Sequence, residues 1–290
     1  MNWPQIVANF LMLALFYSLI ALGLALIFSV MEVLNFAHGQ MYMLGGFTVF
    51  YFYGQYHFNY FVSLILCAIF LAALGLLFER FLFRQVAGRE KHLHTGSFLL
   101  ALGTAVFLDE AALLTFGEKG YGVPPIISGV ISIGNLSVSN DRVMVIVLSL
   151  VVILALVYFM KSTKMGQAMR ALTQDREAAS LQGINVHQLS GIGFGIGAAL
   201  AGIAGGLLAP VMLISAGCGG PMTIRVFIIL LIGGFGSIPG AIAGAFVLGF
   251  LEAVGYALLP SNTVMLTAYA IVVLLLLFRP RGLMGRPLIE

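Results

Sequence analysis

Four side chains that could exchange hydrogen bonds with a small polar solute crowd into one otherwise apolar stretch: Asn35, His38, Gln40 and Tyr42. Two amides, an imidazole and a phenol offer donors and acceptors together. Gly39, Gly45 and Gly46 stand among and after them, and such glycines suggest an interrupted helix whose freed backbone groups face a cavity rather than lipid. A second candidate set is GGFGSIPGA (233–241). There Ser237 and Pro239-Gly240 mark a turn, and the missing side chains, that of Gly234 among them, leave room beside a path. Leu44-Gly45-Gly46-Phe47 and Ile232-Gly233-Gly234-Phe235 look alike, which hints at a duplicated half. A lone histidine in an apolar helix more often bonds a neighbouring helix than gates or catalyses. We therefore read His38, with its neighbours, as lining a route.

Bond-making chemistry finds no comparable set. The carboxylates nearest one another in sequence, Asp109/Glu110 and Asp175/Glu177, have no nucleophile and base beside them. Cys67 and Cys218 sit in or beside apolar stretches and read as packed thiols, with no disulfide framework or metal site. No G-x-x-x-x-G-K-[ST] phosphate cradle occurs. GIGFGIG (191–197) lies inside an apolar run without a preceding strand, so its glycines are for close helix packing. The pairs Gly193/Gly197, Gly202/Gly206 and Gly240/Gly244 have the small-xxx-small spacing that lets helices approach in lipid.

The elements that must position these residues are membrane helices. Of 290 residues, 61% are hydrophobic and 9% charged, and the mean hydropathy is +1.07. A soluble domain, with roughly a quarter of its residues charged, could not hide so much apolar surface from water. Crossing a bilayer takes about 20 apolar residues per helix. Segments near 5–31, 60–83, 97–116, 142–160, 189–214 and 263–280 meet that length, and shorter or glycine-interrupted ones lie near 36–56, 222–237 and 240–259. The first lacks a preceding basic residue and a small-residue cleavage site, and is expected to be retained. The expected fold is all-α and polytopic, about eight or nine crossings in one membrane domain spanning 1–290.

Charge sets the expected orientation. Eleven of the fourteen Lys/Arg fall in three clusters: Arg80, Arg84, Arg89 and Lys91; Lys161, Lys164, Arg170 and Arg176; and Arg279, Arg281 and Arg286. Short basic loops stay in the cytoplasm. Even numbers of segments separate the clusters, so all three can share that side, with the N-terminus and the 117–141 loop outside. Glu32 and Glu79 then fall at inner helix ends, and Asp109, Glu110, Glu252 and Arg225 in outer halves. Buried charges are expensive in lipid. The expectation is a structural ion pair between Arg225 and one of those acids, Asp109 or Glu252 among them, rather than a proton or sodium relay.

The longest polar stretch between spans is KSTKMGQAMRALTQDREAASLQGINVH (161–187). A short helical run is expected over 166–172. Asp175 can cap a second helix, and Gly183 can end it in the left-handed conformation, with Ile184 following. Ala171, Ala178 and Ala179 keep that surface low for a partner, and Arg170, Arg176 and Glu177 offer charge at its rim. Glu177-Ala178-Ala179 followed by Gly183 resembles the coupling segment of ABC importer permeases.

Along nearly its full length the chain also resembles the LivH-type permeases of branched-chain amino-acid ABC importers. The pieces are LNFAHGQMYMLGGF (34–47), MGQAMRALTQDREAASLQGINV (165–186), IGGFGSIPGAIAGAFVLGFLEA (232–253) and RPRGLMGRP (279–287). Arg225 departs from the Lys expected in that family, with the charge kept. The resemblance implies the ABC importer permease fold in a bacterial inner membrane. It implies a second similar permease subunit, two ATPase subunits that carry the ATP and Mg, and an extracytoplasmic binding protein, with no cofactor in this chain and no nucleic acid. Relatives of this kind handle urea, amides or aromatic acids as well as branched-chain amino acids. A stand-alone ion-coupled carrier or channel is the competing class, and the 161–187 loop weighs against it.

Overall fold

The computed structural model describes residues 2–87, 93–134, 136–279 and 282–284. Arg89, Lys91, Arg281, Arg286 and most of the 279–287 motif lie outside the described residues.

Almost unbroken apolar sequence after Pro4, in the first turn, makes α1 (Trp3–Met31) a 29-residue helix. It ends at Glu32, which takes a left-handed conformation (φ 57°). α2 (His38–Val49) runs on into a π-helical stretch, Phe50–Gln55. α3 (Tyr60–Phe78), capped by the Asn59 side chain, widens at Glu79–Phe83 into a second π-helical stretch before α4 (Arg84–Ala87). α5 (Leu93–Phe116) follows, then a hairpin of β1 (Val130–Ile133) and β2 (Leu136–Ser139). The rest is helical: α6 (Asn140–Ser162), α7 (Lys164–Gln174), α8 (Arg176–Leu181), α9 (Val186–Leu208), α10 (Gly219–Gly233), α11 (Ile238–Leu258) and α12 (Ser261–Phe278).

Seven helical stretches are long and apolar enough to cross a membrane, among the described residues. α2, at 12 residues, and α10, at 15, are shorter, and with them the count agrees with the eight or nine expected. The chain is an all-α membrane protein apart from the hairpin, in which Val130 pairs with Ser139 and Ile133 with Leu136. The sequence carries its signal: the β-branched run VISI and the alternating LSVS, on either side of Gly134-Asn135.

α1 and α9 form the centre. Over their most apolar windows each is 78% buried, whereas α12 is 17% buried and presents Leu277 and Phe278 outward. Glycine lets the central pair close. A methyl group on Gly197 would stand 2.6 Å from the Gly23 carbonyl oxygen, and one on Gly202 would be 2.7 Å from the Leu71 side chain. Both distances are shorter than real Cβ contacts, so larger residues would push the helices apart.

The contacts sort the bundle into two ends. At one end the Ser137 N–H donates to Gln5 Oε1, Arg142 Nη1 donates to Asn9 Oδ1, and the Tyr53 hydroxyl donates to the Pro125 carbonyl. The N-terminus of α1 therefore shares its end with the hairpin loop. At the other end Arg84 Nη2 donates to the His187 carbonyl at the start of α9, and Lys161, Arg170 and Met284 border one cavity.

Candidate functional site

α2 and α10 begin inside the bundle. His38, the first residue of α2, places Nε2 2.9 Å from the carbonyl of Ile20. Ile20 lies eleven residues before the end of α1, about 16 Å at 1.5 Å per residue. The 32–37 segment thus turns back along α1 to roughly half its depth before α2 starts. α10 starts beside it: the Gly39 N–H donates to Thr223 Oγ1 at 3.1 Å, and that hydroxyl lies 3.3 Å from the Phe36 carbonyl. A methyl group on Gly219 would stand 2.9 Å from the Gln40 nitrogen. The two short helices meet N-terminus to N-terminus and run to opposite ends of the bundle.

This relocates the interruption. α2 is continuous through Gly39, Gly45 and Gly46, and the break precedes it, at 32–37. The glycines serve contact instead. A Cβ on Gly45 would fall into the Gly202 backbone, and one on Gly46 would be 3.1 Å from Ile214.

At the junction Asn35 and His38 are fully buried and Gln40 nearly so. Asn35 Oδ1 accepts from the Ala37 N–H at 3.0 Å. A carbonyl can only accept, so His38 donates from Nε2. Gln40 Nε2 donates to Asp109 Oδ2 at 3.0 Å. Asn35 Nδ2, His38 Nδ1, Gln40 Oε1 and Asp109 Oδ1 are left without partners. Tyr42, one turn on, is half-buried and meets Phe16 edge-on, with ring centroids 5.9 Å apart.

The second polar set lies elsewhere. Gly234 (φ 98°) and Gly236 (φ 74°) form the turn between α10 and α11, and Ser237 caps α11 by accepting from the Gly240 N–H. This turn sits at the α7 end of the bundle, where Gly236 and Ser237 border the cavity with Arg170. The chain beyond α12 closes over it: the Leu283 N–H donates to the Ile232 carbonyl at 2.7 Å and that of Met284 to the Gly233 carbonyl at 3.0 Å. Gly234 and Ser237 are therefore separated from the Asn35–Tyr42 set by the length of α10, and do not join it in a single lining.

Arg225 pairs with Glu252, Nε to Oε1 at 3.5 Å, and the Tyr17 hydroxyl donates to Glu252 Oε2 at 2.6 Å. Asp109 stands apart from this pair, with Gln40. Tyr17 completes a tie between α1, α10 and α11, although nothing in its apolar run distinguished it. A second pair, the buried Glu79 and Arg84, closes at 2.7 Å across the second π-helical stretch, from its first residue to the start of α4.

At the α7–α8 segment, Thr163 Oγ1 accepts from the Gly166 N–H at 3.0 Å and starts α7 at Lys164, two residues earlier than expected. Asp175 Oδ1 accepts from the Ala178 N–H at 2.9 Å and starts α8. Gly183 takes φ 81°. Its N–H donates to the Ser180 carbonyl, and that of Ile184 to the Ala179 carbonyl, which satisfies two of the open carbonyls at the helix end. Ala179 faces inward and is buried, while Asp175, Glu177, Ala178 and Gly183 are exposed. Arg176 and Ala171 are half-buried, and Arg170 turns toward the cavity rather than the rim. Leu181, passed over in the sequence, is 86% exposed.

Residues 6–278 match the family model described as branched-chain amino acid transport system / permease component. The chain belongs to that permease family. The permease is 31% identical to the high-affinity branched-chain amino acid transport system permease protein BraD of Pseudomonas aeruginosa, over 100% of this chain and 98% of the relative. It is also 31% identical to LivH of Escherichia coli K12, over 94% of this chain and 92% of the relative. A probable branched-chain amino acid transport permease protein LivH of Methanocaldococcus jannaschii is 33% identical over 37% of this chain. No solved structure matches the permease.

Proposed function

We propose that this permease is the membrane subunit of an ATP-driven importer. It would pass branched-chain amino acids from an extracytoplasmic binding protein into the cytoplasm of a bacterial cell, in complex with a second similar permease and two separate ATPase subunits. The observation that carries the reading is α8. A helix of six residues is too short to persist without support, yet this one is capped at both ends and presents Glu177, Ala178 and Leu181 to solvent. That is the form of an element kept for another protein.

In this reading the α7–α8 end faces the cytoplasm. Arg80, Arg84, Lys161, Lys164, Arg170, Arg176 and Arg279 belong to that end and Lys119 and Arg142 to the other, an imbalance of the kind that orients membrane proteins. ATP binding draws the α8 helices of the two permeases together, and the bundles rock about the α2–α10 junction. A buried polar atom without a partner costs about 1–3 kcal/mol, and the junction holds four of them. An opened route would supply their partners as solute or water, so Asn35, His38 and Gln40 are assigned to the path, and Tyr42, one turn on, with them. Glu79 and Glu252 each have an arginine, and Asp109 has Gln40. That pairing favours structural roles for these acids over ion coupling.

Reconstitution tests the assignment. The permease alone in liposomes should accumulate no leucine under any ion gradient. With the binding protein, the second permease and the ATPases it should do so with ATP. Gradient-driven accumulation by the permease alone would contradict the proposal.

A further inference from the structure

Where α1, α6, α7 and α11 come together at the α8 end of the bundle, a cavity of about 320 Å³ opens beside Lys161 and Arg170. Its size falls within the roughly 300–1,000 Å³ range of small-molecule sites. Lys161 comes from the last turn of α6 and Arg170 from α7. Neither has a carboxylate partner among the described residues, and no acidic side chain borders the cavity. The N-terminal turn of α11, Ser237 to Pro239, opens onto the same space and brings the positive end of its dipole. Val157, Met160, Ile238 and Met284 supply an apolar wall.

We propose that this cavity holds the phosphate headgroup of an anionic phospholipid, with the upper part of an acyl chain along the apolar wall. Two cations without a carboxylate partner among the described residues, and a helix N-terminus, converge on one space and are suited to phosphate chemistry. The wall and the position at the end of three membrane helices assign the phosphate to a lipid rather than to a free anion. Bound there, the headgroup bridges Arg170 on α7 to Lys161 on α6 and the start of α11. It would tie the α7–α8 segment to the helices it has to move.

Native mass spectrometry of the full chain in neutral detergent, titrated with phosphatidylglycerol, phosphatidylcholine or inorganic phosphate, tests this. Each cation near a phosphate contributes about fivefold, so the pair should favour phosphatidylglycerol over phosphatidylcholine by about twenty-five-fold. Lys161→Gln/Arg170→Gln should abolish that preference. Lys161→Arg should keep it, as should Lys164→Gln, whose lysine lies off the cavity. Equal binding of the two lipids by the unaltered chain would overturn the proposal, as would a preference surviving in the double variant. Inorganic phosphate binding as tightly as phosphatidylglycerol would overturn the lipid assignment. Should the double variant prove unstable, Lys161→Gln alone is expected to lose about fivefold, and no loss would count against the site.

Discussion

Leu181 is the sharpest probe of the docking role. Its side chain is 86% exposed at the end of a helix fixed at both termini, so it stabilises nothing within the subunit. If α8 seats in a groove on an ATPase subunit, that side chain leaves water only in the complex. Full burial of a leucine contributes about 1.5–3 kcal/mol. Leu181→Asn forfeits that contribution at similar size, and at 1.4 kcal/mol per decade the affinity should fall about tenfold to a hundredfold. The assay is titration of purified ATPase subunit onto the permease pair in nanodiscs by biolayer interferometry. The thermal unfolding midpoint of the permease should stay within about 1 °C, because an exposed substitution away from special features changes stability by no more than about 0.5 kcal/mol. Unchanged affinity would refute the argument. A fallen midpoint would show that Leu181 supports the fold and does not wait for a partner.

Gly183→Val places a β-branched residue at φ 81°, a left-handed conformation that costs about 1–2 kcal/mol without glycine. ATPase activity should persist in that variant while ATP-driven uptake falls at least severalfold, measured side by side in proteoliposomes. Glu252→Gln leaves the half-buried Arg225 without its counter-charge, a loss of up to about 3 kcal/mol, the lower end for a broken buried pair, read as a lower unfolding midpoint in detergent. Gly45→Val drives a side chain into the Gly202 backbone and should reduce folded yield by size-exclusion chromatography, whereas Gly103→Val, with nothing within 4 Å, should not. Gln40→Leu removes the partner of Asp109 and should slow leucine uptake more than it weakens assembly of the complex.

The membrane class, the number of long helices and the caps of α8 were legible because each rests on local sequence. Apolar runs of sufficient length have no other folded form in lipid, and Asp175 and Gly183 act within a few residues of themselves. The hairpin is equally local, in VISI and LSVS about Gly134-Asn135, within a loop expected only to lie outside. The α2–α10 junction was not legible. Glycines that permit close packing and glycines that break helices look the same in sequence, and only the facing Gly202 and Gly219 backbones separate the two. The choice of Glu252 over Asp109 for Arg225 depended on which helix faces which. Leu181 was hidden for a further reason: exposure of one leucine among so many is decided by three-dimensional packing alone.

Thiol labelling at Ser180→Cys tests the central claim most directly, since that residue is exposed on α8 and the unaltered chain, with Cys67 and Cys218, gives the background. A membrane-impermeant maleimide should leave it unlabelled in intact cells. It should label it in inverted vesicles stripped of the ATPase subunits, and fail again once those subunits are added back. Labelling from outside the cell, or labelling indifferent to the ATPase, would contradict the account.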